Sequence, residues 1–394
     1  MDEKQVRSGI AYVAVLTLSF SCTNTLFPQT PTFTGQATAW LTSNPDKTPV
    51  SQTGIRYIPT FALAQRISES LNADLELSLH AFGTGNYAKH QSARYEGNVK
   101  AYRAWLRMSS SLFEGRAGLQ KTNFGSATLF RPLMWFDRID PRDPLQLTEG
   151  VYGLLLRYYF LNNANIWIWG LYGNHETKGW EFAPTEKNSI EFGGRGQTPL
   201  WSGEAGISFH HRKAAVSAVM RSGGAANEAV VPENRVGVDG KWDIGPGVWF
   251  EAALVHLETE IRGIQYLRQW TLGADYTFDV GNGLAALTEF FRSDNPEKPF
   301  ASADGVSLSA LSLSYPLGLL DRLSTILYRD WTNHEWYRLV TWQRTYDNWI
   351  IYVLGFWNPE NIQLYRTRTP NTPAEAGSSS FAGTGIQLMI TFNH

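Results

Sequence analysis

Short and long connections take turns along this chain, and the segments between them alternate apolar with polar residues. The stretch 237–254, GVDGKWDIGPGVWFEAAL, is representative. Successive side chains of a strand point to opposite faces. Asp239, Lys241 and Asp243 therefore share one face, and Val238, Trp242 and Ile244 share the other, before DIGPG turns the chain. Such a strand suits a soluble sheet with its apolar face on a core, or a membrane barrel with that face on lipid. The connections choose between them. Tight turns (SS at 109, LNNA at 161, PLWSG at 199, DIGPG at 243, DVGNG at 279, YPLG at 315, TYDN at 345) alternate with long stretches. The long ones are GTGNYAKHQSARYEG, residues 123–148, HETKGWEFAPTEKN, KAAVSAVMRSGGAANEAVV, RSDNPEKPFASADG and NPENIQLYRTRTPNTPAEAGSSSFAG. A sandwich has no reason to keep that parity, whereas a transmembrane barrel keeps tight turns at one rim and long loops at the other.

No segment reaches the roughly 20 apolar residues that a membrane helix needs, so any span is made of strands. Alternation and turn residues give about 18. They lie near 32–42, 54–67, 71–83, 97–109, 111–122, 149–160, 163–174, 188–199, 202–212, 233–244, 247–259, 266–279, 282–293, 305–315, 319–331, 334–345, 347–358 and 382–392. An even count returns both ends of the barrel to one rim. Composition agrees: aromatics reach 13%, with 15 Trp, yet charged residues are only 18% and the mean hydropathy is negative. That is the average of an apolar exterior and a polar interior. Basic and acidic residues nearly cancel, 34 against 36, which gives no electrostatic argument for nucleic acid.

The single cysteine, Cys22, excludes an intrachain disulfide, a thiolate zinc site and haem attachment. It follows GIAYVAVLTLSFS, which with Lys4 and Arg7 upstream reads as a signal-peptide core too short to span a bilayer. Cleavage falls before Cys22 or nearer Gln29. Ser19, three before the cysteine, does not match a lipidation motif. The expected organisation is a targeting segment over 1–29 and one barrel over 30–394.

The final segment, GTGIQLMITFNH, sends Ile386, Leu388, Ile390 and Phe392 one way and Gln387, Met389 and Thr391 the other. Here the chain resembles the bacterial outer-membrane porins, which close on an amphipathic strand with an aromatic near the carboxyl end. Phe392 is followed by Asn393 and His394 instead of ending the chain. The resemblance is one of pattern. It implies an all-β fold, a single transmembrane antiparallel β-barrel in the outer membrane of a Gram-negative cell, with short periplasmic turns and long extracellular loops. It implies passive transport of small hydrophilic solutes or ions by a channel in outer-membrane lipid, as a homotrimer or a monomer, and neither an enzyme nor a cofactor.

Assigning the inward face strand by strand aligns Arg103, Arg107, Arg116, Arg157, Arg195, Arg212, Arg235 and Lys241 along one wall. Such a ladder would set ion preference. Inward Glu114, Glu191, Glu204, Asp239 and Glu251 offer the other reading, cross-strand pairs that merely hold the wall; the two readings can hold at different heights. The connection 123–148 carries Pro132, Pro141 and Pro144, many apolar residues, and Arg131, Asp137, Arg138, Asp140, Arg142 and Asp143. Its apolar content needs a surface to pack on, and the lumen is nearest. It resembles the constriction loop of porins; an outward cap is the alternative.

Trp135, Trp167, Trp169, Trp242, Trp270, Trp336, Trp342, Trp349 and Trp357 lie close to strand ends and read as aromatic girdles more readily than as sugar platforms. Ser208 and His210, with Glu204 beyond, share an inward face. Positions i and i+2 of a strand are about 6.6 Å apart, too far for a nucleophile and its base. DPRDP lacks the spaced pattern of a calcium loop, and GGRG and GTG follow no strand-to-helix phosphate motif. The competing function is a plugged barrel acting as an outer-membrane enzyme or a docking and assembly scaffold.

Overall fold

The computed structural model of the protein describes residues 31–45, 49–89, 92–216, 230–261, 263–359 and 381–394. The targeting segment read over 1–29, Cys22 included, lies outside the described residues. The described residues form eighteen strands: β1 (Thr32–Ser43), β2 (Ser51–Arg66), β3 (Asn72–Tyr87), β4 (Arg94–Ser109), β5 (Phe113–Gln120), β6 (Val151–Tyr159), β7 (Asn165–Leu171), β8 (Glu191–Leu200), β9 (Gly203–Ala215), β10 (Val230–Asp243), β11 (Gly247–Ile261), β12 (Ile264–Phe278), β13 (Leu284–Asp294), β14 (Gly305–Pro316), β15 (Asp321–Asp330), β16 (Glu335–Thr345), β17 (Trp349–Trp357) and β18 (Thr384–Asn393). Each pairs with the next, and β18 returns antiparallel to β1, Ser43 opposite Ile386 and Gln36 opposite Asn393. Closure satisfies the backbone that lipid cannot hydrate. It also leaves no free edge.

Each expected segment is a strand, with ends moved by a few residues. The face assignment holds where the pattern was cleanest. Ile386, Leu388 and Ile390 are exposed while Gln387, Met389 and Thr391 are buried; Val238 and Ile244 are exposed while Asp239 is buried. The exterior is an apolar surface of residues such as Ile55, Val99, Leu106, Ile168, Ile207 and Leu272, as a barrel in a bilayer requires. One rim carries only tight turns (67–71, 110–112, 160–164, 201–202, 244–246, 279–283, 317–320, 346–348), and the long connections 121–150, 172–190 and 358–383 are all at the other. The alternation of lengths is looser than the alternation of rims. β3 runs on to Tyr87 and β4 begins at Arg94, absorbing most of the connection expected there, and the chain turns within 331–334 at the loop rim.

The interior departs from a uniformly wet, charged lumen. Three apolar clusters lie inside the barrel. Leu129 and Phe130 pack with Phe291, Tyr328, Leu354 and Phe356 of β13–β17. Phe124, Leu133, Trp135 and Phe136 pack with Val151, Leu155 and Trp169 of β6 and β7. Ala183 joins Ala214, Val231, Leu257 and Ile261 of β9–β11. The inward faces of these strands carry large apolar side chains at the height where loops fold in, so the core of the molecule is the contact between loops and wall.

Candidate functional site: a loop folded across the lumen

The site begins where β5 ends. Gly118 has φ 117, and a Cβ there would meet Ala104 O at 2.1 Å, so only glycine fits this irregularity in the strand. Two residues later the chain leaves the sheet and enters the lumen. Residues 121–150 run across the lumen: Phe130 is almost wholly buried against β13–β17, and Leu133, Trp135 and Phe136 are almost wholly buried among side chains of β6, β7 and β11. A notch receives them: a Cβ on Gly237 of β10 would sit 2.2 Å from Leu133 Cδ2.

Two wall carboxylates hold the crossing by accepting main-chain hydrogen bonds. Glu289 of β13 accepts from the N–H groups of Thr128 (2.7 Å), Leu129 (2.9 Å) and Phe130 (2.6 Å) and from Trp249 Nε1 (3.0 Å). Glu251 of β11 accepts from Ala127 (2.9 Å) and Leu133 (2.5 Å). The Thr271 hydroxyl donates to Phe130 O at 2.7 Å, and Ser126 to Asp239 at 3.2 Å. These partners satisfy the backbone of an irregular segment packed away from water, which would otherwise be costly to bury.

The loop's own charges pair largely among themselves. Arg131 and Asp137, both buried, meet at 3.3 Å, and Arg142 grips Asp140 through Nε and Nη2, at 2.9 and 2.7 Å. Arg138 donates to Thr177 of the next long loop. Asp143 accepts from the Leu145 N–H at 3.0 Å. Burial pushes its carboxyl above the usual carboxylate range, while that hydrogen bond and the field of Arg56 pull it back. Within the loop Asp137 is thus paired with Arg131 and Asp140 with Arg142.

The inward arginines divide by height and sector. Arg195, Arg212 and Arg235 are buried in ion pairs: Arg195 with Asp239 (2.6 Å), Arg212 with Glu233 (2.7 Å), and Arg235 with Glu233 (2.6 Å) and with Glu181 of the loop 172–190 (2.7 Å). Lys178 of that loop reaches Glu191 at 3.1 Å, and Glu191 also meets His210 Nε2 at 3.2 Å. This network fastens the second loop to β8–β10. Arg107, Arg116 and Arg157 form a different group nearer the turn rim, converging on Glu114 at 3.9, 3.0 and 3.5 Å, with Asp74 on Arg107 at 2.8 Å. They are part-exposed. Arg103 donates to Thr148 O at 2.8 Å. Lys241 and Glu204 are exposed and opposite in register near the turn rim.

Because the crossing loop is held on the β10–β13 wall, open space remains on the other side. A cavity of about 650 Å³ lies between the loop and β2–β4, lined by Arg56, His80, Tyr102, Arg138, Glu149 and Glu176 among others. A second of about 300 Å³ adjoins it, lined by Lys100 and Asn174 and sharing Tyr102, Arg138 and Glu149. Arg56 was outside the expected ladder, which began at β4. Its place in GIRYIPTF, between outward Ile55 and Tyr57, was the available signal. Its Nε and Nη1 are buried and make no hydrogen bond, and its guanidinium lies 5.3 Å from the Trp40 ring.

Other candidates resolve into packing. Ser208 Oγ accepts from Arg195 at 3.0 Å, and His210 Nδ1 accepts from Trp169 Nε1 at 3.1 Å, so each side chain is engaged with a different partner. Trp135, Trp167 and Trp169 face inward, not into a girdle; Trp336, Trp349 and Trp357 are exposed at strand ends, as girdle residues are. Among the described residues no group of three His, Cys, Asp or Glu comes together to hold a metal ion.

No family model and no curated protein matches the chain. Solved structures do. OccAB4 of Acinetobacter baumannii is similar over 93% of this chain and 98% of its own, with TM-score 0.57 and 9% identity. OccK5 (OpdH) of Pseudomonas aeruginosa is similar over 92% and 97%, with TM-score 0.54 and 11% identity. At such identity the likeness is one of fold: a closed barrel of the outer-membrane porin type, whose apolar exterior places it in a membrane.

Proposed function

We propose that the protein is a passive diffusion channel of the bacterial outer membrane for small hydrophilic solutes, narrowed by residues 121–150. The observation that carries this reading is the asymmetry of the crossing. Glu251 and Glu289 hold the loop on one wall, and the cavity on the opposite side is lined by charged and polar groups. Hydrated solutes pass where polar side chains replace their water, not through the apolar contacts that fill the other side. On this reading the turn rim faces the periplasm and the long loops face outward.

The selectivity follows from which arginines meet water. Arg56 at the narrowing and the Arg107, Arg116 and Arg157 group below it face open space, whereas Arg195, Arg212 and Arg235 are neutralised in buried pairs. A modest preference for anions results. The engagement of Ser208 and His210 with separate partners supports a non-enzymatic role. The test is conductance of the purified protein in a planar bilayer. Ohmic steps that scale with salt support the channel; no conductance at any voltage or salt would overturn it in favour of a plugged scaffold.

A further inference from the structure

The strand arginines of β2–β10 all point inward, but on β12–β16 four near the loop rim point the other way. Arg268 lies between buried Leu267 and Gln269, Arg329 between buried Tyr328 and Asp330, and Arg338 between buried Tyr337 and Leu339; Arg292 follows buried Phe291. All four sit on the lipid-facing surface. Arg268 and Arg292 share one carboxylate, Asp294, at 2.9 and 3.2 Å. Their remaining N–H groups donate to main-chain oxygens of the connection 295–304, Arg268 to Pro299 and Ala301, Arg292 to Ala303. That connection therefore leans on the outer wall, with Phe300 94% exposed.

Arg329 and Arg338 differ. Both guanidiniums flank the same ring, Trp336, at 5.2 and 5.9 Å from its centroid. Arg329 also lies 5.5 Å from Trp331 and donates to His334 O. Among the described residues neither has a carboxylate within ion-pair distance. Two like charges are thus brought together around an exposed tryptophan at the level of the aromatic girdle, where Trp357, opposite Arg338 in register, is also exposed. A cation facing lipid is costly at the bilayer centre and cheap only at the interface, where anionic headgroups lie.

We propose that this outward face of β15 and β16 binds the phosphorylated headgroup of a lipid in the leaflet at the loop rim. The phosphate sits between Arg329 and Arg338, and the acyl chains lie on the apolar wall below. Guanidinium forks match phosphate geometry, and Trp331, Trp336 and Trp357 frame the headgroup at the interface. The inference goes beyond the channel reading. It rests on that reading only for the barrel's place in the outer membrane with the loop rim outward.

Native mass spectrometry of the full chain in neutral detergent tests it, using lipid A, its chemically dephosphorylated form and inorganic phosphate as probes. Retention of lipid A well above the dephosphorylated form is expected, with no retention of free phosphate. The double variant R329Q/R338Q should lose this preference by roughly tenfold or more, R329K/R338K should keep part of it, and R344Q, which removes an arginine near the turn rim, should change nothing. Equal retention of the two lipid forms by the parent would overturn the proposal, as would an unaltered R329Q/R338Q, an equal loss in R344Q, or free phosphate binding as well as lipid A. Should R329Q/R338Q not fold, the comparison of the two lipid forms on the parent still decides.

Discussion

On the channel reading, Arg56 of β2 lines the narrowing and Asp143 of the crossing loop acts on it through its charge. The raised carboxyl of Asp143 takes up a proton at higher pH than a free carboxylate, because burial opposes its charge more than Leu145 N–H and Arg56 restore it. Charged above that point, it offsets Arg56; neutral below, it does not. Preference for anions should therefore rise as pH falls from neutral toward the usual carboxylate range. Reversal potentials in a salt gradient check this. D143N should hold the high preference at all pH values, and R56Q should lower preference at neutral pH; a parent-like R56Q would place selectivity elsewhere. At this scale the sequence shows which way an arginine faces but not whether it meets water. Arg195, Arg212 and Arg235 face inward as their alternation implies, yet Glu181 and the packed loops cover them, and such partners are distant in sequence.

At the scale of elements, the crossing loop is an irregular segment whose amides depend on two carboxylates. Removing Glu289 takes away the carboxylate that accepts from the N–H groups of Thr128, Leu129 and Phe130 in a packed site, a loss of about 1 kcal/mol or more for each bond. E289A should therefore loosen the loop while the strand ladder stays intact. Single-channel records should show larger and noisier open levels, with barrel content by circular dichroism unchanged; quiet, parent-like records would mean that apolar packing alone fixes the loop. The strands themselves were legible because a period of two and turn residues are local signals. The inward path of 121–150 was legible only as a burial requirement of its Leu, Met, Trp and Phe residues. Its partners, Glu251 and Glu289, read as wall charges until the loop lay against them. Trp135, Trp167 and Trp169 likewise looked like girdle residues, since period two gives the face of a strand and not what covers it.

The whole molecule is a closed 18-stranded wall with its core inside, assembled from loops. An epitope tag within 244–246 should be hidden on intact cells, and one within 370–380 should be reachable; the reverse would invert the barrel. Closure and the rims could be read from an even strand count and the side on which long connections fall. The filled interior could not, because it depends on loops from one rim meeting apolar faces contributed by many strands. The central claim, that residues 121–150 narrow an otherwise wider channel, is tested most directly by deleting 128–144 and recording single channels. The strand ladder that closes the barrel is untouched, so the variant should fold and insert. Its conductance should rise well above that of the parent, and larger neutral polymers should enter it. A deletion variant that inserts and conducts as the parent does would contradict the claim.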